Sequence, residues 1–286
     1  MTTPSTSARP AALPLPARRG VNAYTPPAVF DRWIEHGAGV RALGIGDNVI
    51  TMFDSVGEDP WTGGGITAKK VAAQLRAIGG PVEIQLNSPG GDMFEGIAIY
   101  NVLREHPHPV TIKVMGVAAS AASIIAMAGD HVEIGASSFL MIHNCWIMAV
   151  GNRNALREAA EWLEPFDAAM TSVYAQRTGL AADVITKMLD DETWLSGSIA
   201  IEKGFANALL PADQITVDEA IRSEDRRVNE LRGMERSLIK AGLSRDDARD
   251  RVDSIRGKRD AASDTGERDA ADLQASLADL LQTIRA

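Results

Sequence analysis

The stretch Val110-Thr-Ile-Lys-Val-Met-Gly-Val-Ala-Ala-Ser120-Ala-Ala-Ser-Ile-Ile-Ala126 decides how the rest of this chain is read. Its opening, Val110 to Met115, is rich in β-branched and apolar residues and predicts a strand. Glycine and alanine follow, and from Ser120 to Ala128 the pattern is that of a helix. A strand that passes directly into a helix is half of a β-α-β unit. Small residues at the junction let neighbouring backbones approach closely.

The alternation continues on both sides. Asn48 to Phe53 predicts a strand, and Thr67 is placed to cap a helix that runs through Ile78 and stops at Gly79-Gly80. Val82 to Leu86 predicts a strand, Asn87-Ser-Pro-Gly-Gly91 a turn and Met93 to Arg104 a helix. Short strands are expected at Val132–Ile134 and Phe139–Ile142. Repeated units of this kind, from Val40 to about Ala212, imply an α/β fold with a mostly parallel sheet and helices packed on it.

Three further segments frame this core. Residues 1–26 are rich in Pro, Ser, Thr and Ala and read as a flexible arm. Arg153 to Arg177 repeats Leu156, Ala159, Ala160, Leu163, Phe166, Met170 and Val173 at helical spacing, with Pro165 predicting a kink or a break. Two readings stay open for it, an ordinary surface helix or a protruding helix that meets a partner subunit. From Asp213 the chain turns to Arg, Asp and Glu. Leu238, Leu243, Val252 and Ile255 make a weak helical face, and Leu273, Leu277, Leu280, Leu281 and Ile284 a better one. The expected organisation is an arm at 1–26, a domain at 27–212 and a charged tail at 213–286, partly helical or disordered.

Bulk properties exclude several classes. The 286 residues are 45% hydrophobic, enough for a sizeable core, and carry a net charge of -9. An acidic chain without a basic stripe argues against nucleic acid as partner. A single cysteine, Cys145, allows no internal disulfide and no cysteine-based metal site. No apolar run approaches the roughly 20 residues that span a bilayer. Three prolines interrupt the apolar stretch Pro10–Ala17, so no signal peptide is expected. These features suit a cytoplasmic protein.

Four segments carry candidate chemistry. Ser120 lies where strand gives way to helix, among small residues that leave room for a substrate carbonyl. A serine hydroxyl needs an adjacent base to act as a nucleophile. The first turn of a helix also offers unpaired N–H groups to an oxyanion. The competing reading is a helix N-cap. Asn87-Ser-Pro-Gly90-Gly91-Asp92 follows a strand and presents bare backbone N–H groups, or is a plain turn. Of the five histidines, only His143 ends a buried-looking run, Phe139-Leu-Met-Ile142. It is either a base or a structural core histidine. Asp190-Asp-Glu192 offers a carboxylate to orient that histidine, or is a surface loop.

Taken together in order, these segments resemble the Clp protease proteolytic subunit family, and more closely its phage prohead or head-maturation protease relatives. The resemblance covers roughly residues 45–212. It rests on Leu86-Asn-Ser-Pro-Gly-Gly91, Gly116-Val-Ala-Ala-Ser120-Ala-Ala-Ser123, Met141-Ile-His143 and Glu192-Thr-Trp-Leu-Ser196, followed by Glu202-Lys-Gly-Phe-Ala206. It implies a β-α-β superhelical spiral of the ClpP and crotonase type, with a protruding helix between subunits. It also implies a serine endopeptidase without cofactor or metal, in which Ser120 is the nucleophile and His143 the base. Gly91 and Ala121 would supply the oxyanion-hole amides. The acid position matches Glu192, where the family has aspartate, and this departure leaves Asp191 as an alternative. The implied partners are a protein or peptide substrate, other copies of the chain in a ring, and capsid or scaffold proteins.

Three rivals follow from the same residues. An acyl-CoA enzyme of the crotonase fold would catalyse with glutamates and leave the ordered serine and histidine unexplained. A Ser-Lys dyad would draw on Lys113 or Lys203 and leave His143 idle. A non-catalytic scaffold protein would have no use for an intact nucleophile and base.

Overall fold

The computed structural model describes residues 22–23, 26–42, 46–59, 61–211 and 215–262. The apolar stretch Pro10–Ala17 and the leucine face from Leu273 to Ile284 lie outside them. The first half comprises β1 (Asn22–Ala23), α1 (Pro27–His36), β2 (Val40–Ala42), β3 (Val49–Met52), α2 (Ala68–Ile78), β4 (Val82–Ser88), α3 (Met93–Glu105) and β5 (Val110–Ala119). Then come α4 (Ala121–Ala126), β6 (His131–Ile134), β7 (Phe139–Ile142), β8 (Ile147–Met148), α5 (Arg153–Thr178), α6 (Ala182–Asp190), β9 (Thr193–Ser196), α7 (Gly197–Glu202) and β10 (Ala208–Leu209). β11 (Ile215–Val217), α8 (Glu219–Lys240) and α9 (Arg245–Ala262) close the described chain. Two compact units divide it, one reaching Ser223 and the other starting at Glu224.

The sheet of the first unit runs β10-β6-β5-β4-β3, all parallel, as the β-α-β pattern predicts. β5 is its hinge. Its first half, Thr111–Val114, pairs with β6, and its second half, Val117–Ala119, pairs with β7. One strand edge thus serves two partners in succession, and β9 continues beyond β7 antiparallel. This makes β5 four residues longer than the apolar run Val110–Met115 suggests. Gly116 and the alanines carry little strand propensity but are held by neighbours on both sides.

The β4–β5 ladder shifts register between Leu86 and Ser88. The Asn87 side chain fills the gap. Its Oδ1 accepts from the Val117 N–H at 3.0 Å and the Trp33 Nε1–H at 3.1 Å, and its Nδ2 donates to the Gly37 carbonyl at 2.6 Å. The bulge ends β4 and swings the chain into Pro89-Gly90-Gly91.

Local signals set the helix ends. Thr67 Oγ1 accepts the Lys70 N–H, and Gly79, left-handed at φ 61°, closes α2. Asp92 caps α3 through the Phe94 and Glu95 N–H groups. α1 lies in a segment for which the sequence suggested no element. Proline at its start suits a first helical turn, and Val29, Phe30 and Trp33 bury one face against Val117, Ala119 and Met141. α5 is not broken at Pro165. Phe166, Met170, Val173 and Tyr174 anchor its second half in the core, while Leu156 in the first half stays exposed. Asn22 and Ala23, in the expected arm, pair antiparallel with Met148 and Ile147.

In the second unit, Val228, Met234, Leu238, Ala248 and Val252 are buried. Ser244 caps α9 through the Asp247 N–H, and Arg249 pairs with Glu235 at 3.3 Å. Part of the charged tail is therefore helical. None of the described helices is long and apolar enough to cross a membrane.

Candidate active site

The switch from β5 to α4 forces Ser120 into φ 56°, ψ -127°, a region that non-glycine residues avoid. Its N–H donates to the Met141 carbonyl at 3.0 Å. Its side chain makes no capping bond, so the N-cap reading fails for the hydroxyl. Instead Ser120 Oγ lies 2.8 Å from His143 Nε2. Two neighbouring elements aim these groups at one point. β7 pairs with the second half of β5, and His143 is the residue just past its end.

His143 is 5% exposed. Burial disfavours the imidazolium and pulls the pKa from 6.5 to about 4, so the ring is neutral at pH 7 and has a lone pair for the serine proton. Its Nδ1 is buried and has no hydrogen-bond partner among the described residues. The β7–β9 ladder sets Ile142 opposite Thr193, so one further step would bring His143 opposite Glu192. At Glu192, however, the backbone turns to φ 48°, and the side chain is exposed and off the ring. Asp191 is turned to solvent in a 2.7 Å ion pair with Lys187. The structure thus unites Ser120 with His143 and leaves both candidate acids away from the imidazole.

Two other carboxylates hold the segment after His143. Asn144 Nδ2 donates to Asp190 Oδ1 at 2.7 Å, and the Cys145 N–H donates to Asp167 Oδ1 at 2.7 Å. Neither tie carries a legible sequence signal, since Asp167 lies 22 residues away inside α5. Burial, with Asp167 beside it, pushes the Cys145 thiol far up, so Cys145 is no rival nucleophile.

The Gly90-Gly91 turn abuts the serine. A Cβ on Gly90 would sit 2.5 Å from the Ala119 carbonyl oxygen and 2.7 Å from Ser120 Cβ. One on Gly91, at φ 153°, would meet the Val56 carbonyl oxygen at 2.1 Å. The Val56 N–H donates to Gly90 and the Asp92 N–H to Val56, so Gly91 is bracketed by bonds and its own N–H faces away from Val56. Ala121 is the first residue of α4, where the N–H has no acceptor within the helix. Gly91, Ser120, Ala121 and His143 line one shallow, solvent-open cleft, walled by Met93, Ile97, Ile124 and Met170. A hydroxyl reached by solvent and bonded to a buried imidazole, beside amide donors in an apolar cleft, is equipped for nucleophilic acyl transfer. Lys113, weighed above as a dyad base, is engaged by Glu83 at 2.9 Å. Among the described residues, no group of three or more His, Cys, Asp or Glu side chains is arranged to hold a metal ion.

Residues 64–213 match the Clp protease family. The ATP-dependent Clp protease proteolytic subunit 1 of Chlamydia muridarum is 30% identical over 141 residues, covering 48% of this chain and 73% of that protein. Its counterpart from Protochlamydia amoebophila is 29% identical over 163 residues, 56% of this chain and 79% of the relative. The solved structure of a point mutant of ClpP1 from Listeria monocytogenes superposes with a TM-score of 0.50. It shares 21% identity and covers 59% of this chain and 94% of that one.

Proposed function

Because the chain belongs to the Clp protease family, we propose that it is a serine endopeptidase whose nucleophile is Ser120 and whose general base is His143. The observation that carries this reading is the 2.8 Å contact between Ser120 Oγ and His143 Nε2, made by a serine at positive φ. His143 takes the hydroxyl proton as Oγ attacks the peptide carbonyl. The Gly91 and Ala121 amides hold the resulting oxyanion. His143 returns the proton to the leaving amine, and water then cleaves the acyl-enzyme by the same steps in reverse order.

Glu192 is the proposed acid. It is next in the β7–β9 register after Thr193, whereas Asp191 is paired with Lys187. To act, the Glu192 carboxylate must turn onto Nδ1. Subunits of this chain are proposed to assemble into a ring through α5. The substrate class is proposed to be capsid or scaffold proteins during phage head maturation, on the strength of the Pro-Gly-Gly-Asp, Ala-Ala-Ser-Ala-Ala-Ser and Glu-Thr-Trp motifs and the charged tail.

A fluorophosphonate probe tests the activity directly. The assembled wild-type protein should be labelled at Ser120, as located by peptide mass spectrometry, and Ser120→Ala should not be labelled. Failure of the wild type to react would overturn the hydrolase reading. Cleavage of a purified capsid precursor by the wild type and not by Ser120→Ala checks the substrate class, and an untouched precursor would count against it.

A further inference from the structure

We infer that Tyr174, acting through Ser123, is a positioning residue that locks the Ser120–Ala121 peptide with its N–H turned toward the cleft. The inference rests on the serine-endopeptidase reading above. Ser123 and Tyr174 are wholly or almost wholly buried, at 0% and 1% exposure. Ser123 Oγ lies 2.6 Å from the Ser120 carbonyl oxygen and 2.7 Å from Tyr174 Oη.

The proton directions follow from the groups involved. A carbonyl only accepts, so Ser123 spends its single hydroxyl proton on Ser120. The Tyr174 hydroxyl therefore donates to Ser123 Oγ. Burial pushes the Tyr174 phenol well above its ordinary pKa and keeps that proton in place. The chain of bonds runs from Tyr174 to Ser123 to the Ser120 carbonyl, which also accepts the Ser123 N–H at 2.9 Å.

In a trans peptide the carbonyl oxygen of one residue and the N–H of the next point in opposite directions. Two donors holding the Ser120 carbonyl inward thus turn the Ala121 N–H outward, toward the cleft that Ala121 lines. A flipped peptide would present a carbonyl oxygen where an oxyanion has to bind. The restraint is needed at this point because Ser120 sits in a sparsely populated backbone region that favours relaxation. The sequence shows the device only as a second serine in an alanine-rich helix, since Tyr174 lies 51 residues further on in α5.

Tyr174→Phe removes one oxygen and keeps the ring that packs on Phe205, so it is the variant least prone to misfold. The readout is the second-order rate of fluorophosphonate labelling at Ser120, per titrated active site, with kcat and KM for a peptide substrate beside it. Loss of a whole oxyanion donor costs on the order of 100-fold in kcat, and a loosened one is expected to cost about 10-fold. Tyr174→Phe should slow labelling and kcat by about that factor with KM unchanged, and Ser123→Ala by at least as much. In the Ser123→Ala background, Tyr174→Phe should add nothing, because Tyr174 acts only through Ser123. A Tyr174→Phe protein that labels within twofold of the wild type overturns the inference while leaving the protease reading intact. Independent, multiplying losses in the double variant overturn it as well, since they mark two separate structural roles. An unlabelled wild type overturns both readings.

Discussion

His143 shows how a residue's surroundings set its chemistry. Buried and without a carboxylate on Nδ1, it titrates near pH 4 rather than 6.5. A base whose pKa is lowered stays neutral and competent as the pH falls, and loses activity only as it protonates. A carboxylate on Nδ1 favours the imidazolium and moves that acidic limb upward. If Glu192 engages the ring in the working enzyme, Glu192→Gln lowers the midpoint of the acidic limb toward about 4 and reduces kcat. Asp191→Asn should leave both unchanged, because Asp191 serves Lys187 at the surface. The pH dependence of fluorophosphonate labelling measures this, and a limb that moves only in Asp191→Asn would transfer the acid role to that residue. The pairing of Ser120 with His143 was legible in sequence only when the segments were read together as resembling one family, because each residue alone also fitted a structural role. The acid was not, because its position depends on how the chain turns between α6 and β9, where Glu192 adopts φ 48° against its local preference.

At the scale of elements, the Gly90-Gly91 turn depends on a bulge that one side chain fills. Asn87 satisfies Val117, Trp33 and Gly37 in a site that is 2% exposed. Asn87→Ala leaves three buried polar groups without that partner, at about 1 kcal/mol or more each, so a loss of about 3–5 kcal/mol is expected in urea unfolding. A loss below about 1 kcal/mol would mean that water or a shifted backbone replaces the amide. Gly91→Ala acts differently. Its methyl would have to displace the Val56 carbonyl, moving a proposed oxyanion donor along with the turn. Activity should therefore fall at least 100-fold, as for loss of a donor, and a variant with near-wild-type kcat would remove Gly91 from the site. Elements with strong local signals, such as α2 with its threonine cap and terminal glycine, matched their sequence pattern. α1 escaped notice because ten residues between a proline-rich arm and a glycine turn offer only Val29, Phe30 and Trp33 as a face. The stripe becomes meaningful only once β5 and β7 supply the surface it covers.

At the scale of the whole molecule, the two halves of α5 raise the question of assembly. Its second half is anchored through Phe166, Met170 and Tyr174. In its first half Leu156 is 46% exposed, and Trp146 and Val150, on either side of β8, are 38% and 95% exposed. Exposed apolar side chains of this kind gain by being covered. A ring would cover them with a different face of a neighbouring copy, since a contact repeated around a ring is heterologous, and would bring that interface close to the segment Asn144–Trp146 that follows His143. Burying one leucine contributes about 1.5–3 kcal/mol, so Leu156→Glu should weaken each contact by roughly 10- to 100-fold. Sedimentation velocity on the wild type should show one species several times the 30.5 kDa chain mass, shifting toward monomer in Leu156→Glu. The variant keeps every residue of the proposed site, so its labelling rate at Ser120 then separates two designs. A dissociated protein that still labels at the wild-type rate has a site complete within one subunit, whereas a slow one requires the neighbour to hold α5 and the loop behind His143 in place. A wild type that sediments only as a monomer at micromolar concentration would remove the ring and return α5 to the status of an ordinary surface helix.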